Sequence, residues 1–220
     1  MHDLKNPTLT PELHRYLVQH GTPPDPLLDD LARVTDELGG PARMQIAPEQ
    51  GAFLALLVRL TDARTVVEVG TFTGTSSIWM ARALPPSGHL HCFDVSQEWT
   101  SVARRYWERA GLASRITLHL GPALDRLSDL PDDQPIGFAF VDADKGNYLA
   151  YVEALLPRLA PDGLIAIDNV LWGGAVLDEA DRSADAVAIR AFNDAMAERE
   201  DLEVVMLPIA DGLTLLRRRP

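Results

Sequence analysis

The sequence predicts an α/β protein built on a parallel sheet with helices on both faces. After Arg64, short apolar runs rich in β-branched residues alternate with stretches of helical periodicity, which is the order of βαβ units. The first run ends in a glycine-rich turn, and two later runs end in acidic residues. Because ligands of open α/β sheets bind beyond the carboxyl ends of the strands, these three turns are the candidate functional segments.

Three helices are predicted before the sheet begins. Thr10 and Asp25 each precede a proline, so a capping side chain stands before a residue that is tolerated at the first helical position. Gly21 and Gly39 end the two helices that follow. A third helix is predicted over residues 48–60, where apolar side chains recur at helical spacing.

The remaining elements follow in a regular order. The predicted strands cover residues 65–69, 89–93, 116–120, 136–141, 164–167, 202–207 and 213–216. The predicted helices between them cover residues 76–83, 98–110, 148–159 and 186–198. The last two strands flank the turn 210–212 and are predicted to pair as a hairpin. Since no repeat or linker interrupts the chain, a single domain is predicted over residues 1–220, with a helical part over 1–60 and a sheet core over 64–220.

The charge of the chain argues against a nucleic-acid partner. The 220 residues include 20 Lys and Arg against 32 Asp and Glu, and the formal net charge is -12. Binding to a nucleic-acid backbone needs clustered basic residues, which this balance does not favour. The one basic run, residues 217–219, is interpreted as a solvated tail after the last strand.

Cysteine content and hydropathy predict a cytoplasmic protein with no membrane partner. Cys92 is the only cysteine, so no intramolecular disulfide can form, as expected in a reducing compartment. Its apolar neighbours favour packing over a nucleophilic role for its thiol. Residues 1–5 lack the apolar core of a signal peptide, and no apolar run approaches the roughly 20 residues of a membrane helix.

The turn after the first strand is interpreted as part of a cofactor site. Gly70 and Gly74 allow the backbone to approach a ligand closely, and Asp94 ends the second strand within reach of a ribose hydroxyl. A dinucleotide is disfavoured, because Phe72 stands where the pyrophosphate fingerprint needs a glycine and Glu68 would repel a diphosphate. S-adenosylmethionine, which has a ribose, a cationic sulfonium and no phosphate, fits better. The alternative is an ordinary turn that binds no ligand.

Acidic and amide side chains follow the fourth and fifth predicted strands. If these strands are neighbours about 4.8 Å apart, their carboxyl ends bring Asp142, Asp168 and Asn169 together. Three oxygen donors without histidine or cysteine suit a hard cation such as Mg²⁺. The alternative is that each acidic residue caps the helix after it.

Lys145 lies three residues after Asp142. One interpretation is a solvated lysine, or a counter-charge to Asp144. The other is a base beside the cation, since a lysine near a positive charge is pushed towards its neutral form and can then accept a proton from a hydroxyl.

These motifs together resemble those of a known family. The segments that carry the resemblance, within the region from Met44 to the C-terminus, are 67–76, 140–145, 167–174 and 210–213. Residues 104–107 and 208–212 are similar to bacterial members that act on small phenols. The chain resembles the cation-dependent class I O-methyltransferases, the group of the caffeoyl-coenzyme A and catechol O-methyltransferases.

The resemblance implies a doubly wound, mostly parallel, seven-stranded sheet of the Rossmann-like type, with an antiparallel last strand and the N-terminal helices over the site. It implies metal ligands at Asp142, Asp168 and Asn169, for Mg²⁺ or another divalent cation such as Mn²⁺ or Ca²⁺. Lys145 is the implied catalytic base, with Asp142 beside it in the catalytic set. The implied contacts to S-adenosylmethionine are Met44, Ile46, Glu68, Gly70, Thr71, Ser76, Asp94, Ala123, Asp142 and Asp144. Members of the family commonly form homodimers, so a homodimer is expected.

Two departures from the plant members of the family bear on the substrate. Gly173 stands where they carry an asparagine that helps to hold the substrate, and the loop 129–135 is shorter than theirs. Both departures count against a coenzyme A thioester. The resemblance therefore implies methyl transfer to a hydroxyl of a small catechol-like molecule.

Three alternatives stay open at this stage. The first is the same chemistry on a non-aromatic natural-product hydroxyl, such as that of a macrolide or a sugar. The second is a nicotinamide-dependent oxidoreductase, which Phe72 and Glu68 disfavour. The third is a non-catalytic cofactor-binding protein, which is disfavoured because the candidate catalytic and metal-binding residues are all present.

Overall fold

One seven-stranded sheet with helices around it makes up the part of the chain that the computed structural model describes, residues 7–131 and 134–220. The strands are β1 Thr65–Val69, β2 His89–Asp94, β3 Ile116–Leu120, β4 Ile136–Val141, β5 Leu159–Asp168, β6 Leu202–Leu207 and β7 Leu213–Arg218. The helices are α1 Pro11–His20, α2 Pro26–Asp36, α3 Pro48–Leu60, α4 Thr75–Ala83, α5 Gln97–Arg109, α6 Ala123–Arg126, α7 Tyr148–Leu155 and α8 Ala184–Ala197. The N-terminal segment 1–5 and two residues of the loop 129–135 lie outside the described residues.

The strand order places a crevice in the middle of the sheet. The order is β3-β2-β1-β4-β5-β7-β6. Strands β1 to β5 pair in parallel, and β7 runs antiparallel to both β5 and β6. The order reverses between β1 and β4, and such a switch point leaves room for a ligand beyond the strand ends. The predicted fold class, a doubly wound and mostly parallel seven-stranded sheet with a terminal hairpin, is confirmed.

Side chains alternate along the strands, so each inner strand contributes to a core layer on either face. Along β4, Phe138 and Phe140 pack with the layer that includes α3, α4 and α5, whereas Ala139 and Val141 pack with the layer that includes α7 and α8. Cys92 lies fully buried in the first layer, which is the packing role predicted for it. Burial also raises the pKa of its thiol well above the ordinary value.

The N-terminal helices begin where the sequence predicts. The side-chain oxygens of Thr10 and Asp25 accept backbone N–H groups of the first helical turn at 3.2 and 3.0 Å. Helix α2 is tied to α5, because the Asp30 carboxylate accepts hydrogen bonds from Tyr106 Oη and Arg109 Nη1, each at 2.7 Å. Helices α1, α2 and α3 precede β1, and the division into a helical part and a sheet core of one domain stays a prediction.

The predicted boundary between the helix after β4 and strand β5 was wrong. The helix predicted over 148–159 ends at Leu155, because Pro157 has no N–H to continue the helical hydrogen bonds, and a 3₁₀ turn follows. Strand β5 therefore begins at Leu159 rather than at residue 164. The pairing of β4 with β5 shifts register between Ile136 and Phe138, so the extra residues of β5 bulge out of the ladder.

The interpretation of residues 217–219 as a tail after the last strand was wrong for residues 217 and 218, because strand β7 extends to Arg218. Arg217 and Arg219 are nevertheless exposed to solvent. Arg217 pairs with Asp162 of β5 at 2.7 Å, and Arg219 Nε donates to the Leu202 carbonyl of β6 at 2.9 Å. No helix formed by the described residues has the length and apolar character needed to cross a bilayer.

Three histidines form a cluster on β2 and β3. His91 Nδ1 and His119 Nε2 are hydrogen-bonded at 3.1 Å, and the ring centroids of His89 and His91 are 4.9 Å apart. Burial, and then the charges of His89 and His119, lower the pKa of His91 to about 4. Burial likewise lowers the pKa of His89 and of His119. The fold therefore favours the neutral form of all three rings.

We expect the free energy of unfolding to fall as the pH drops from about 6.5 to about 4. The unfolded chain protonates His91 near its ordinary pKa of 6.5, whereas the folded chain does so only near pH 4. Lower pH therefore favours the unfolded state in this window. His91→Gln removes this proton uptake, so urea denaturation should show a smaller loss of stability across the window. The control His20→Gln, at an exposed histidine of α1, should lose as much as the parent; an equal loss in His91→Gln would contradict the assignment.

Candidate active site

A cleft of about 960 Å³ opens at the carboxyl ends of the strands, where the strand order reverses. Its walls come from the turns after β1, β2, β4 and β5 and from the segment between α2 and α3. All of the residues predicted for the site line this cleft except Glu68. The lining includes Met44, Ile46, Gly70, Thr71, Ser76, Asp94, Ala123, Asp142, Asp144, Lys145, Asp168 and Asn169.

The turn after β1 lies directly against the turn after β4. Gly70 has a φ of +90°, and a Cβ at this position would lie 1.8 Å from the carbonyl oxygen of Asp142. The Asp142 N–H in turn donates to the Val69 carbonyl at 2.8 Å. Only glycine adopts this φ without strain and leaves the space next to the Asp142 carbonyl free. Gly70 is therefore required for the two turns to meet.

Asp94 fixes the shape of the glycine turn. Its Oδ2 accepts the N–H groups of Thr71 at 2.9 Å and Phe72 at 2.8 Å, and its Oδ1 accepts the N–H of Ser96 at 2.7 Å. Phe72 has a φ of 51°, in the left-handed region that a bulky residue rarely adopts. The carboxylate thus holds a strained turn in place while it also lines the cleft.

Glu68 lies behind the cleft wall. It is fully buried on β1, and its Oε1 accepts a hydrogen bond from Ser76 Oγ at 2.6 Å. Burial raises the pKa of Glu68 to about 7, although the bond from Ser76 opposes the shift. Ser76 itself lines the cleft, so Glu68 orients a hydroxyl at the wall.

The glycine turn places the N-terminus of α4 at the cleft. Gly74, with a φ of +94°, precedes the helix, and within the described chain no side chain caps its first turn. Two lining atoms, Gln45 Oε1 and Thr75 Oγ1, are buried without a hydrogen-bond partner among the described residues. Free N–H groups at a helix N-terminus attract anionic groups. This wall therefore suits a polar ligand that carries a carboxylate.

Aromatic side chains line the cleft beyond the end of β2. Phe72 and Trp99 meet edge to face, with ring centroids 5.1 Å apart and an angle of 77° between the rings. Ala123 begins α6, which packs against β2 and β3. Apolar and aromatic surface of this kind suits a flat heterocycle.

The turns after β4 and β5 converge on the end of Lys145. Its Nζ donates to Asp142 Oδ1 at 3.0 Å, to Asn169 Oδ1 at 2.6 Å and to Tyr148 Oη at 2.7 Å. The Lys145 side chain is only 9% exposed, so the solvated-lysine interpretation was wrong. The other alternative was an ion pair between Lys145 and Asp144. Among the described contacts, Lys145 pairs with Asp142 instead.

Asp144 points to a different group. Its Oδ1 accepts a hydrogen bond from Tyr151 Oη at 2.6 Å, and its Oδ2 accepts one from Asn147 Nδ2. The side chain is thus fixed at the side of the cleft by the start of α7.

Asp168 completes the acidic end of the cleft. It is 3% exposed, and its Oδ1 accepts the N–H of Asn169 at 2.7 Å. Burial, and then the negative charge of Asp142, raise the pKa of Asp168. Two carboxylates that disfavour each other's charge in a buried position are stabilised by a shared cation.

The donor set at this end of the cleft fits a hard divalent cation. Asp142, Asp168 and Asn169 offer oxygen atoms only, and the first and last of them already converge on one positive group, the Lys145 ammonium. Among the described residues no group of three or more His, Cys, Asp and Glu side chains is arranged to hold a metal ion. The fit therefore depends on the amide oxygen of Asn169 as the third donor.

Several residues of the site were not assigned from the sequence. Gln50, on α3, is 1% exposed and lines the cleft. It is a polar residue four positions before Leu54 in an apolar helical stripe, and that break in the pattern could have identified it. Trp172 lies with its ring centroid 5.7 Å from Lys145 Nζ. Trp172 has a left-handed φ of 48°, which the sequence does not indicate.

The chain is similar to known proteins in sequence and in fold. A family model described as O-methyltransferase matches residues 19–219. Tricin synthase 2 of Oryza sativa subsp. japonica is 40% identical over 185 residues, which cover 80% of this chain but 63% of the rice protein, less than two thirds of its length. Caffeoyl-CoA O-methyltransferase 2 of Petunia hybrida is 36% identical over 185 residues, which cover 80% of this chain and 76% of that protein. The crystal structure of the O-methyltransferase TomG from Streptomyces achromogenes, involved in tomaymycin synthesis and in complex with SAM, matches with a TM-score of 0.87 at 33% identity, over 95% of this chain and 96% of that chain.

We expect Gly70→Ala to lower the free energy of unfolding by roughly 2–4 kcal/mol, because its Cβ would clash with the Asp142 carbonyl and its φ would be strained. Urea denaturation measures the effect. Gly40→Ala is the control, since a Cβ there meets no atom within 4 Å and the φ is ordinary. Equal stability of the two variants would mean that the turns after β1 and β4 do not depend on this contact.

Proposed function

This chain belongs to the O-methyltransferase family, and on that premise we propose that it methylates a hydroxyl of a small catechol-like molecule with the help of a divalent cation. Its methyl donor is S-adenosylmethionine, which is also the ligand of its relative TomG. The observation that carries the proposal is the convergence of Asp142 and Asn169 on the end of Lys145, beside the buried Asp168 and at the same cleft as the glycine turn.

The glycine-turn end of the cleft is assigned to the cofactor. The free N-terminus of α4 and the hydroxyl of Ser76 suit the carboxylate and amino group of its methionine part. Asp94 is assigned to the ribose hydroxyls, and the wall of Phe72 and Trp99 to the purine ring. The full set proposed to contact or support the cofactor is Met44, Ile46, Glu68, Gly70, Thr71, Ser76, Asp94, Ala123, Asp142 and Asp144.

The acidic end of the cleft is assigned to the cation, with Asp142, Asp168 and Asn169 as its protein ligands. When bound, a divalent cation lowers the pKa of a hydroxyl group of the acceptor. Support comes from the oxygen-only donor set and from the burial of two carboxylates whose repulsion a positive charge relieves. Mg²⁺, Mn²⁺ and Ca²⁺ all satisfy these criteria.

Lys145 is assigned as the base that takes the proton of the attacking hydroxyl. Its Nζ lies 3.0 and 2.6 Å from two of the proposed ligands, so a hydroxyl held among them would be within its reach. The small exposure of Lys145 keeps bulk water away from this proton. Holding the reacting groups in line supplies much of the remaining acceleration.

A small aromatic acceptor is supported by the segment that follows β5. The Trp172 ring lies beside Lys145, and a flat face of this kind can stack with a phenolic ring. Gly173 has no atom within 4 Å of where its Cβ would be, so the wall is open next to that ring. A homodimer stays a prediction of the family resemblance, and a cytoplasmic location stays a prediction from the cysteine content and hydropathy.

The first test is mass spectrometry of a panel of catechols incubated with the protein, S-adenosylmethionine and Mg²⁺, with and without EDTA. We expect a product one methyl group heavier that disappears with EDTA, and Asp168→Ala should abolish metal-dependent turnover. A product that survives EDTA would keep the methyl transfer and remove the cation. Turnover of non-aromatic hydroxyl compounds alone would replace the catechol assignment.

A second test addresses the base. Lys145→Ala should slow turnover by roughly 10²–10⁴-fold, because the proton of the acceptor hydroxyl then has no acceptor on the protein. Lys145→Arg is the matched variant, since it keeps the positive charge but stays protonated and should be slowed as well. Single-turnover rates at saturating substrate measure both. A rate near that of the parent in Lys145→Arg would show that the position supplies charge and not a base.

A further inference from the structure

Lys145 has a third partner that the proposed function does not use. A lysine ammonium has three N–H donors, and here they go to Asp142 Oδ1, Asn169 Oδ1 and Tyr148 Oη. Two of these acceptors belong to the proposed cation ligands. Tyr148 is the one among the three that does not.

Contacts of both its hydroxyl and its ring hold the Tyr148 side chain in place. It is the first residue of α7 and is fully buried. Its hydroxyl donates to the backbone carbonyl of Asp168 at 2.9 Å while it accepts from Lys145 at 2.7 Å. Its ring meets that of Phe192 on α8 edge to face, with centroids 5.5 Å apart and an angle of 79°. Because the single phenolic proton is committed to Asp168, the free lone pairs of the oxygen are left to face Lys145.

We propose that Tyr148 is a positioning residue that accepts a hydrogen bond from Lys145 Nζ and thereby fixes the direction of this amine towards the acceptor hydroxyl. The inference rests on the proposed function, in which Asp142 and Asn169 turn their oxygens to a cation. Tyr148 Oη is then the acceptor that remains for Nζ among its described partners. The backbone carbonyl that anchors Tyr148 belongs to Asp168, so the same contact ties the direction of the amine to the acidic end of the cleft.

A purely structural role for the same hydroxyl makes a different prediction. If the hydroxyl only connects α7 to the end of β5, its removal should lower activity by the same factor whether or not residue 145 is a lysine. As a positioning group, it acts only through Lys145. A double-mutant cycle separates these two roles, because the coupling between two positions vanishes when one acts independently of the other.

The experiment uses Tyr148→Phe, which removes one oxygen atom. We expect kcat to fall about 10- to 100-fold, with the KM of the catechol and the Kd of S-adenosylmethionine unchanged. In the Lys145→Ala background, Tyr148→Phe should cause no further loss. Tyr106→Phe is the matched control, since its hydroxyl bonds to Asp30 on α2 and lies outside the cleft lining; its kcat should stay at the parent value.

Folding is monitored separately. Phe192→Leu loosens the packing of the Tyr148 ring but keeps the hydroxyl, so it should lower the unfolding midpoint with a smaller loss of kcat than Tyr148→Phe.

An unchanged kcat in Tyr148→Phe overturns the positioning role and leaves the proposed function standing. Equal losses from Tyr148→Phe in the parent and Lys145→Ala backgrounds assign it the structural role instead. Full activity of Lys145→Ala would overturn both the base and its positioning residue.

Discussion

Strands β1 and β4 end with their backbones in contact, because Gly70 has no side chain to keep the Asp142 carbonyl away. The rest of the site follows from this contact. The glycine turn and the acidic turn become two walls of one cleft, and Asp94 holds the glycine turn in place through two of its backbone N–H groups. On the proposed assignment, a cofactor at the one wall and an acceptor at the other would lie side by side.

The acidic wall places several charged side chains in largely buried positions. Asp142, Asp168 and Lys145 are each largely hidden, and burial of a charge is costly unless it is paired. The Lys145 ammonium meets part of that need, and on the proposed assignment Asp142 and Asn169, which accept its hydrogen bonds, would also hold the cation.

Strand positions and the acidic cluster could be predicted because both depend on local pattern. Short apolar runs locate the strands, and Asp142 and Asp168 come together wherever their strands are parallel neighbours. The start of β5 could not be predicted, since it depends on a register shift against β4. Two hydrogen bonds of the site could not be predicted either: that of Glu68 with Ser76 of the next helix, and that of Tyr148 with the Asp168 carbonyl at the end of β5. Such contacts join elements whose relative positions cannot be read from the sequence.

The burial of Cys92 has a practical consequence. Its thiol is fully covered, and its pKa is raised by that burial, so little of the reactive thiolate exists in the folded protein. Because the sequence has no other cysteine, a cysteine introduced on the surface would be the one thiol open to a maleimide or spin label. The native fold thus provides an unreactive background for site-specific labelling, and distances across the cleft can be followed in solution between two introduced cysteines while Cys92 stays in place.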